Sequence, residues 1–376
     1  MVPEDAARDL VQIVGGAHTR QGPAQSRAKA LQGLSRRSGG HKLTVASNVS
    51  DTEGSDPMLP HLPPAVASLR GRDLLRSTDL TPGELGGLLE LAAELKRALR
   101  EGRSQALCPG RTLGMVFEKR STRTRVSFEV GMAQLGGHAL HLSGANELQM
   151  GRGESLRDTA MVLSRYLDAL MVRTFAQSDI DELARFASVP VINGLTDDEH
   201  PCQALADLQT LAERFGELRG LSLAYIGDGN NTARSLVELA AMAGCHVTIA
   251  TPPGYQLDRE SLAWASERAA AAGGSIRETE DPDEAARGAS AIYTDVFVSM
   301  GQEDDAARRL ADLMPYRIDA RRASLLAPGG CVLHCLPAHY GQEIDEDVLY
   351  GERSAVWDQA ENRLHAQKAL LAALLA

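Results

Sequence analysis

The sequence predicts an α/β protein made of two doubly wound domains with mostly parallel sheets. Three observations carry this expectation. From Leu69 onward, short apolar runs of strand length alternate with stretches of helical spacing, and such alternation implies parallel strands covered by helices. The alternation restarts after Arg219-Gly220. Each unusual polar cluster follows an apolar run at its carboxyl end, where open α/β sheets bind their ligands. The expected organisation is an extension over residues 1–66, a first domain over 67–215, a second over 216–350 and a closing segment over 351–376.

The elements follow in chain order. Thr81-Pro82-Gly83-Glu84 starts the first helix, with Thr81 as the cap and Pro82 at the first helical position. It leads into Leu85, Leu88, Leu89, Leu91 and Ala92, an amphipathic stripe. Leu113 to Phe117 reads as a buried strand. Val126, Val130 and Ala133 then line one face of a helix that ends at Gly136-Gly137. Ala169 to Val172 is the next strand, with Arg173 at its carboxyl end, and Val189 to Ile192 is another. Pro201 opens a helix carrying Leu205, Leu208, Leu211 and Phe215. Beyond Gly220 come a strand from Ser222 to Ile226, a glycine turn, a helix from Thr232 to Ala243, and a strand from His246 to Ala250. Ala289 to Tyr293 and Cys331 to His334 are further strands, and a helix from about Glu361 to Leu375 closes the chain.

Composition narrows the function. The 376 residues suffice for two domains, and 43% hydrophobic content supports real cores. A formal charge of −11 argues against a general nucleic-acid binder, so any anion site is a local basic pocket in an acidic protein. The five cysteines, Cys108, Cys202, Cys245, Cys331 and Cys335, show neither metal-type pairing nor a disulfide framework, which points to a reducing compartment. No apolar run approaches the roughly 20 residues that span a bilayer. Residues 1–66 contain no Phe, Tyr or Trp, and no acidic residue lies between Leu10 and Ser50. Such a segment buries too little apolar surface to offset its ordering entropy. It reads as a disordered extension of a cytoplasmic protein. The alternative is a transit peptide to the mitochondrial matrix, against which Glu4, Asp5 and Asp9 count.

The chemistry lies in six clusters, the last of which, Asp358-Gln359-Ala360-Glu361-Asn362-Arg363, opens the final helix and reads by default as placing Arg363 in solvent. Ser121-Thr122-Arg123-Thr124-Arg125 sits where a strand hands over to a helix. Free N–H groups, the positive end of the helix dipole, hydroxyls and guanidiniums together suit a dianion such as phosphate. Alone, the run reads equally as a capped helix start with solvated arginines. His200-Pro201-Cys202-Gln203 puts two donors three residues apart at another helix start, suited to a carbonyl or oxyanion. Gly227-Asp228-Gly229-Asn230-Asn231 follows a strand but lacks the full dinucleotide fingerprint, so a turn presenting Asn side chains fits better than a nicotinamide site. Asp295 to Gly301 offers Asp295 for an ammonium and Ser299 for a carboxylate. His334-Cys335-Leu336-Pro337 ends a strand, and Cys335 there reads as packing, as a nucleophile or as a polarising contact.

In this order the clusters resemble the aspartate and ornithine carbamoyltransferase family, over residues about 67 to 376. Phe117 to Arg125 is similar to the family's carbamoyl phosphate motif, and His200 to Gln203 to its His-Pro-x-Gln motif. The Ser299-Met300-Gly301 run and His334-Cys335-Leu336-Pro337 resemble the ornithine branch. His339-Tyr340-Gly341-Gln342 departs from a common His-Arg-Gly-Glu form.

The resemblance implies carbamoyl transfer from carbamoyl phosphate to the δ-amine of L-ornithine, giving citrulline and phosphate without metal or cofactor. By it, Ser121, Thr122, Arg123 and Thr124 would hold the phosphate, with Arg173, His200 and Gln203 on the carbamoyl group. Arg363 would reach the same ligand from a final helix that returns to the first domain. Cys335 and the Leu336 carbonyl would face the attacking amine, and Asn231, Asp295, Ser299 and Met300 would hold ornithine. Arg123, Arg173, His200, Gln203 and Cys335 would be the catalytic set, with Cys335 as a thiolate easing loss of the amine proton. Arg125 is expected to be structural. Gln149, in the loop Asn146 to Gly151, would be offered to a neighbouring subunit, implying a homotrimer or a multiple of trimers. The competing expectations are a carbamoyltransferase for putrescine, acylated ornithine or aspartate, and a silent binding homologue.

Overall fold

The computed structural model describes residues 60–143 and 153–376, so residues 1–59 and the loop carrying Gln149 lie outside the described residues. In chain order the elements are α1 (Pro82–Arg100), β1 (Thr112–Phe117), α2 (Thr122–Gln134), β2 (His138–Ser143), α3 (Leu156–Leu163), β3 (Ala169–Arg173), α4 (Gln177–Phe186), β4 (Val191–Leu195) and α5 (Pro201–Phe215). A second series follows with β5 (Ser222–Ile226), α6 (Asn231–Met242), β6 (His246–Ala250), α7 (Arg259–Ala272), β7 (Ser275–Thr279), α8 (Pro282–Ala286) and β8 (Ala291–Thr294). It ends with α9 (Ala306–Leu313), α10 (Ala320–Ala323), β9 (Cys331–His334), α11 (Glu346–Leu349) and α12 (Val356–Leu375). Among the described residues, no helix is long and apolar enough to cross a membrane.

The strands form two sheets, ordered β2-β1-β3-β4 and β7-β6-β5-β8-β9, and neighbouring strands are parallel throughout. The two doubly wound units expected from the alternation are therefore present. Each sheet reverses its winding once, between β1 and β3 in the first and between β5 and β8 in the second. At such a reversal the loops diverge and leave a crevice beyond the carboxyl ends of the strands.

Local chemistry explains the helix starts. Thr81 Oγ1 accepts from the Glu84 N–H at 3.2 Å while Glu84 Oε2 accepts from the Thr81 N–H at 2.8 Å, a reciprocal cap on α1. Pro64–Leu69 form a 3-10 turn, and Val66 packs against Gly87 of α1, where a Cβ would stand 2.9 Å from Val66 Cγ1. The packed chain thus begins slightly before the boundary expected at residue 67. The last helix starts earlier than expected, at Val356, and packs on α1, α2 and α5 of the first series.

One helix face differs from expectation. Val126 is 50% and Val130 38% exposed, whereas Phe128, Gly131 and Met132 are buried. Core packing selects the larger Phe128 and Met132, and the β-branched pair is left on the outside. The fourth strand is Val191–Leu195 rather than Val189 to Ile192, because Asn193 is accepted into the sheet. Its side chain donates to the Leu75 carbonyl at 2.8 Å, which offsets the cost of burying an amide.

Candidate active site

The two winding reversals face one cavity of about 850 Å³. It is lined from the first sheet by Ser121, Arg123, Thr124, Arg173, His200 and Gln203, from the second by Asn231, Asp295, Ser299, Met300, Cys335 and Leu336, and by Arg363 of α12. Thr122 is exposed at the start of α2 and does not line it. Gln149 lies outside the described residues.

One side of the cavity is built for an anion. Ser121 caps α2 by accepting from the Thr124 N–H at 3.3 Å, so the cap and the pocket wall are the same residue. Arg123 donates to the Leu336 carbonyl at 2.6 Å. Arg173 and Arg363 both donate to Thr124 Oγ1, at 3.4 and 3.3 Å. Arg363 also donates to Gln203 Oε1 at 2.6 Å. Among the described residues, none of these three guanidiniums has a carboxylate partner within ion-pair distance. Arg125, by contrast, is exposed and pairs with Glu129 at 3.3 Å, as its expected structural part requires. Gathered, partly to fully buried positive charge without a carboxylate partner is costly unless a ligand supplies the opposite sign.

That charge sets the state of its neighbours. Burial, then the adjoining Arg363 and Arg123, pulls Arg173 down to about 10, which leaves it charged at neutral pH. Burial, then Arg363, Arg173 and Arg123, holds His200 well below the ordinary histidine range. His200 is therefore a neutral imidazole, able to donate one N–H without adding charge. Its backbone N–H is anchored on Ser235 Oγ at 2.8 Å, and its Nδ1 is buried without a protein partner. Arg173 Nε is likewise unpartnered.

The opposite side suits a cation. Asp295 accepts from Asn230 Nδ2 at 2.9 Å, from the Val296 N–H at 2.8 Å and from the Cys335 thiol at 2.8 Å. Asn230 caps α6 through the Thr232 and Ala233 N–H groups, which fixes its amide for Asp295. Asn231 opens α6 and donates to the Thr196 carbonyl. The Ser299 N–H rests on Gln302 Oε1 at 3.0 Å, and Met300 stands half-exposed at the rim.

Cys335 is not the thiolate that the sequence suggested. Burial, then the negative charge and hydrogen bond of Asp295, pushes its thiol well above the usual cysteine range. It is a neutral donor to Asp295. His334 turns away from the cavity: Nε2 lies 3.1 Å from Glu343 Oε1 and Nδ1 accepts the Leu336 N–H at 2.8 Å. Asp295, His334 and Cys335 bring three potential metal donors within 4.8 Å of one another, but those contacts already engage both ring nitrogens and the thiol. Leu336 adopts φ 60°, in the left-handed region that bulky residues avoid, and this aims its carbonyl at Arg123.

Sequence reasoning missed four lining or supporting residues. Lys119 stands 4.4 Å from the centre of the Phe175 ring and pairs with Asp197. Asn230 was passed over for Asn231, although a cap position before a helix was legible. Asp207 and Gln359 lie behind the cavity wall, and only the four-residue step from Gln203 to Asp207 could have pointed there.

Residues 72–213 match the family described as "Aspartate/ornithine carbamoyltransferase, carbamoyl-P binding domain", and residues 219–374 match its "Asp/Orn binding domain". The chain is 52% identical over 315 residues to the ornithine carbamoyltransferase of Halalkalibacterium halodurans, covering 84% of this chain and 98% of that relative. It is 49% identical over 310 residues to the protein of Pyrococcus furiosus named "Ornithine carbamoyltransferase, anabolic", covering 82% and 98%. A solved ornithine carbamoyltransferase from P. furiosus superimposes with a TM-score of 0.79 at 49% identity, over 82% of this chain and 98% of that one. The enzyme of the same name from Gloeobacter violaceus does so with 0.73 at 49% identity, over 82% and 100%.

Proposed function

This chain belongs to the aspartate/ornithine carbamoyltransferase family, and from that premise we propose that it is an ornithine carbamoyltransferase, moving the carbamoyl group of carbamoyl phosphate to the δ-amine of L-ornithine. The observation that carries this is the pairing of two opposite charges across one cavity: three guanidiniums without carboxylate partners on one side, the Asp295 carboxylate on the other. The first suits a phosphate and the second an α-ammonium.

The phosphate rests on Arg123, Arg173, Arg363 and Ser121 at the N-terminus of α2. The carbamoyl amide faces the Gln203 and Leu336 carbonyls. Its oxygen lies toward Arg123, Thr124 and neutral His200. Asp295 takes the α-ammonium of ornithine, and Asn231 with Ser299 takes its carboxylate, which leaves the δ-amine pointing at the carbamoyl carbon. Attack builds charge on the carbonyl oxygen, and preorganised donors stabilise it. The phosphate oxygen then departs with the C–O bond pair and takes up the proton that the δ-amine nitrogen loses on becoming an amide. The attacking amine must be neutral, and a pocket with three guanidiniums disfavours its ammonium form. Neutral Cys335 is no base here; it fixes the rotamer of Asp295. Positioning and charge stabilisation carry the rate.

The finer setting is arginine synthesis in the cytoplasm by a homotrimer or a multiple of it. The anabolic name of the P. furiosus relative supports the first part. Large apolar side chains exposed on α2, β2 and α3 (Val126, Leu140, Met161) support self-association. An assay offering ornithine, putrescine, aspartate and N-acetylornithine side by side tests the substrate. Ornithine should be carbamoylated with by far the highest kcat/KM, and preference for another amine overturns the assignment.

A further inference from the structure

Asp207 sits four residues beyond Gln203 on α5, fully buried and outside the cavity wall. Its Oδ1 accepts from Gln203 Nε2 at 2.8 Å and from Gln359 Nε2 of α12 at 2.6 Å. Gln359 Oε1 accepts the backbone N–H of His334 at 2.9 Å, and Gln203 Oε1 accepts from Arg363 at 2.6 Å. A glutamine amide can ordinarily present either its oxygen or its nitrogen. Here both amides have only one satisfactory orientation. A carboxylate offers acceptors alone, while a guanidinium and a backbone N–H offer donors alone. Turning Gln203 over would set its NH2 against Arg363 and its oxygen against Asp207, two repulsive contacts in a water-free interior.

We propose that Asp207 is a positioning residue that locks Gln203 with its carbonyl oxygen toward the cavity, so that the site selects an acyl phosphate bearing an N–H2 over one ending in a methyl group. An acceptor that is buried and aimed at the ligand discriminates strongly against an analogue without the matching donor, because the acceptor is then left unpaired. Burial pushes the carboxyl up to about 7 against the bonds from Gln203 and Gln359. Both amides donate to Oδ1, while Oδ2 has no partner among the described residues, so Oδ1 remains the acceptor with the carboxyl ionised or with its proton on Oδ2. Replacing the carboxylate by an amide, as in Asp207→Asn, removes the one-sided acceptor. The Gln203 amide is then held by Arg363 alone, and turning it over costs one repulsive contact instead of two.

This inference rests on carbamoyl phosphate being the substrate. The test is direct binding of carbamoyl phosphate, acetyl phosphate and inorganic phosphate to the wild type and to Asp207→Asn, followed by citrulline formation. Acetyl phosphate matches the substrate in shape and charge and replaces the NH2 by CH3. The wild type should prefer carbamoyl phosphate at least about tenfold, the variant should lose most of that preference, and inorganic phosphate should bind both alike. A general loosening would weaken all three ligands together and would overturn the positioning role. An undiminished preference in Asp207→Asn overturns it as well. Asp207→Ser serves where the Asn variant does not fold, with the same expectations. Equal binding of the two acyl phosphates by the wild type overturns the proposal without any variant. Failure of the wild type to make citrulline removes instead the reading on which it rests.

Discussion

Arg123, the second residue of α2, and Leu336, beyond β9, are joined by one hydrogen bond, guanidinium to carbonyl, at 2.6 Å. One residue follows a strand of the first sheet and the other a strand of the second, and they lie 213 positions apart. The bond closes the cavity over its anion side. It also places the strongest donor of the site against the carbonyl that is to face the carbamoyl amide, so a ligand entering here meets both halves at once.

Arg123→Ala should therefore damage catalysis more than folding. Its side chain is not part of the core, and its loss removes a donor from the developing oxyanion. The expected fall in kcat/KM for carbamoyl phosphate is about 100-fold or more, in line with loss of one oxyanion donor. Steady-state kinetics with a circular dichroism control measure this. Kinetics like those of the wild type would remove Arg123 from the site.

Asp295→Asn should separate the two substrates. Asp295 is buried, whereas Asp197 and Glu303, which also line the cavity, are exposed, so ornithine KM should rise by about 30-fold or more, the range for losing one member of a buried charge pair. Carbamoyl phosphate binding, measured by calorimetry, should stay within about twofold, because that ligand rests on the guanidiniums. A parallel loss of both affinities would contradict the division.

Cys335→Ser tests the neutral thiol. A hydroxyl donates to Asp295 as the thiol does, so kcat should fall no more than about tenfold, the loss of one hydrogen bond at most. The pH profile of kcat should keep its shape. A limb that disappears from the profile in the Ser variant would show that a thiolate acts in the wild type.

His365 on α12 should control part of the acid stability. Burial, with Lys368 and Lys96 nearby, pushes its pKa down from 6.5 to about 3. The unfolded chain gains a proton at this residue as pH falls through 6.5, and the folded chain does not until about 3. The contribution is thus intact above 6.5 and is lost progressively on acidification. Unfolding free energies from denaturant titrations at pH 6.5 to 4.5 should fall less steeply in His365→Gln, by up to about 1.4 kcal/mol per pH unit. Parallel slopes would contradict the depressed value.

Legibility followed burial. The central strands β1, β3 and β5, and β9 at a covered sheet edge, are buried along nearly their whole length, so they read as continuous apolar runs. The edge strands β2, His138–Ser143, and β7, Ser275–Thr279, are partly exposed and polar, and nothing in their spacing separates them from loops. The cavity residues were legible because dense polar clusters after apolar runs are unusual. Asp207, Gln359 and Asn362 were not, because a polar residue on a helix reads as a solvent face until tertiary packing places another helix over it. All three are buried at the contact between α5 and α12. Cys335 shows the same limit in electrostatics: its position was legible, but its protonation state depends on Asp295, which comes from another strand end.

One cavity carries both the guanidiniums for carbamoyl phosphate and the carboxylate for ornithine. The most direct measurement is the time course of citrulline and phosphate released by the purified full chain given both substrates. Equal molar amounts of the two products are expected, dependent on both substrates and lost in Arg123→Ala. A folded protein that binds inorganic phosphate yet forms no citrulline, or that releases phosphate without it, would contradict the account.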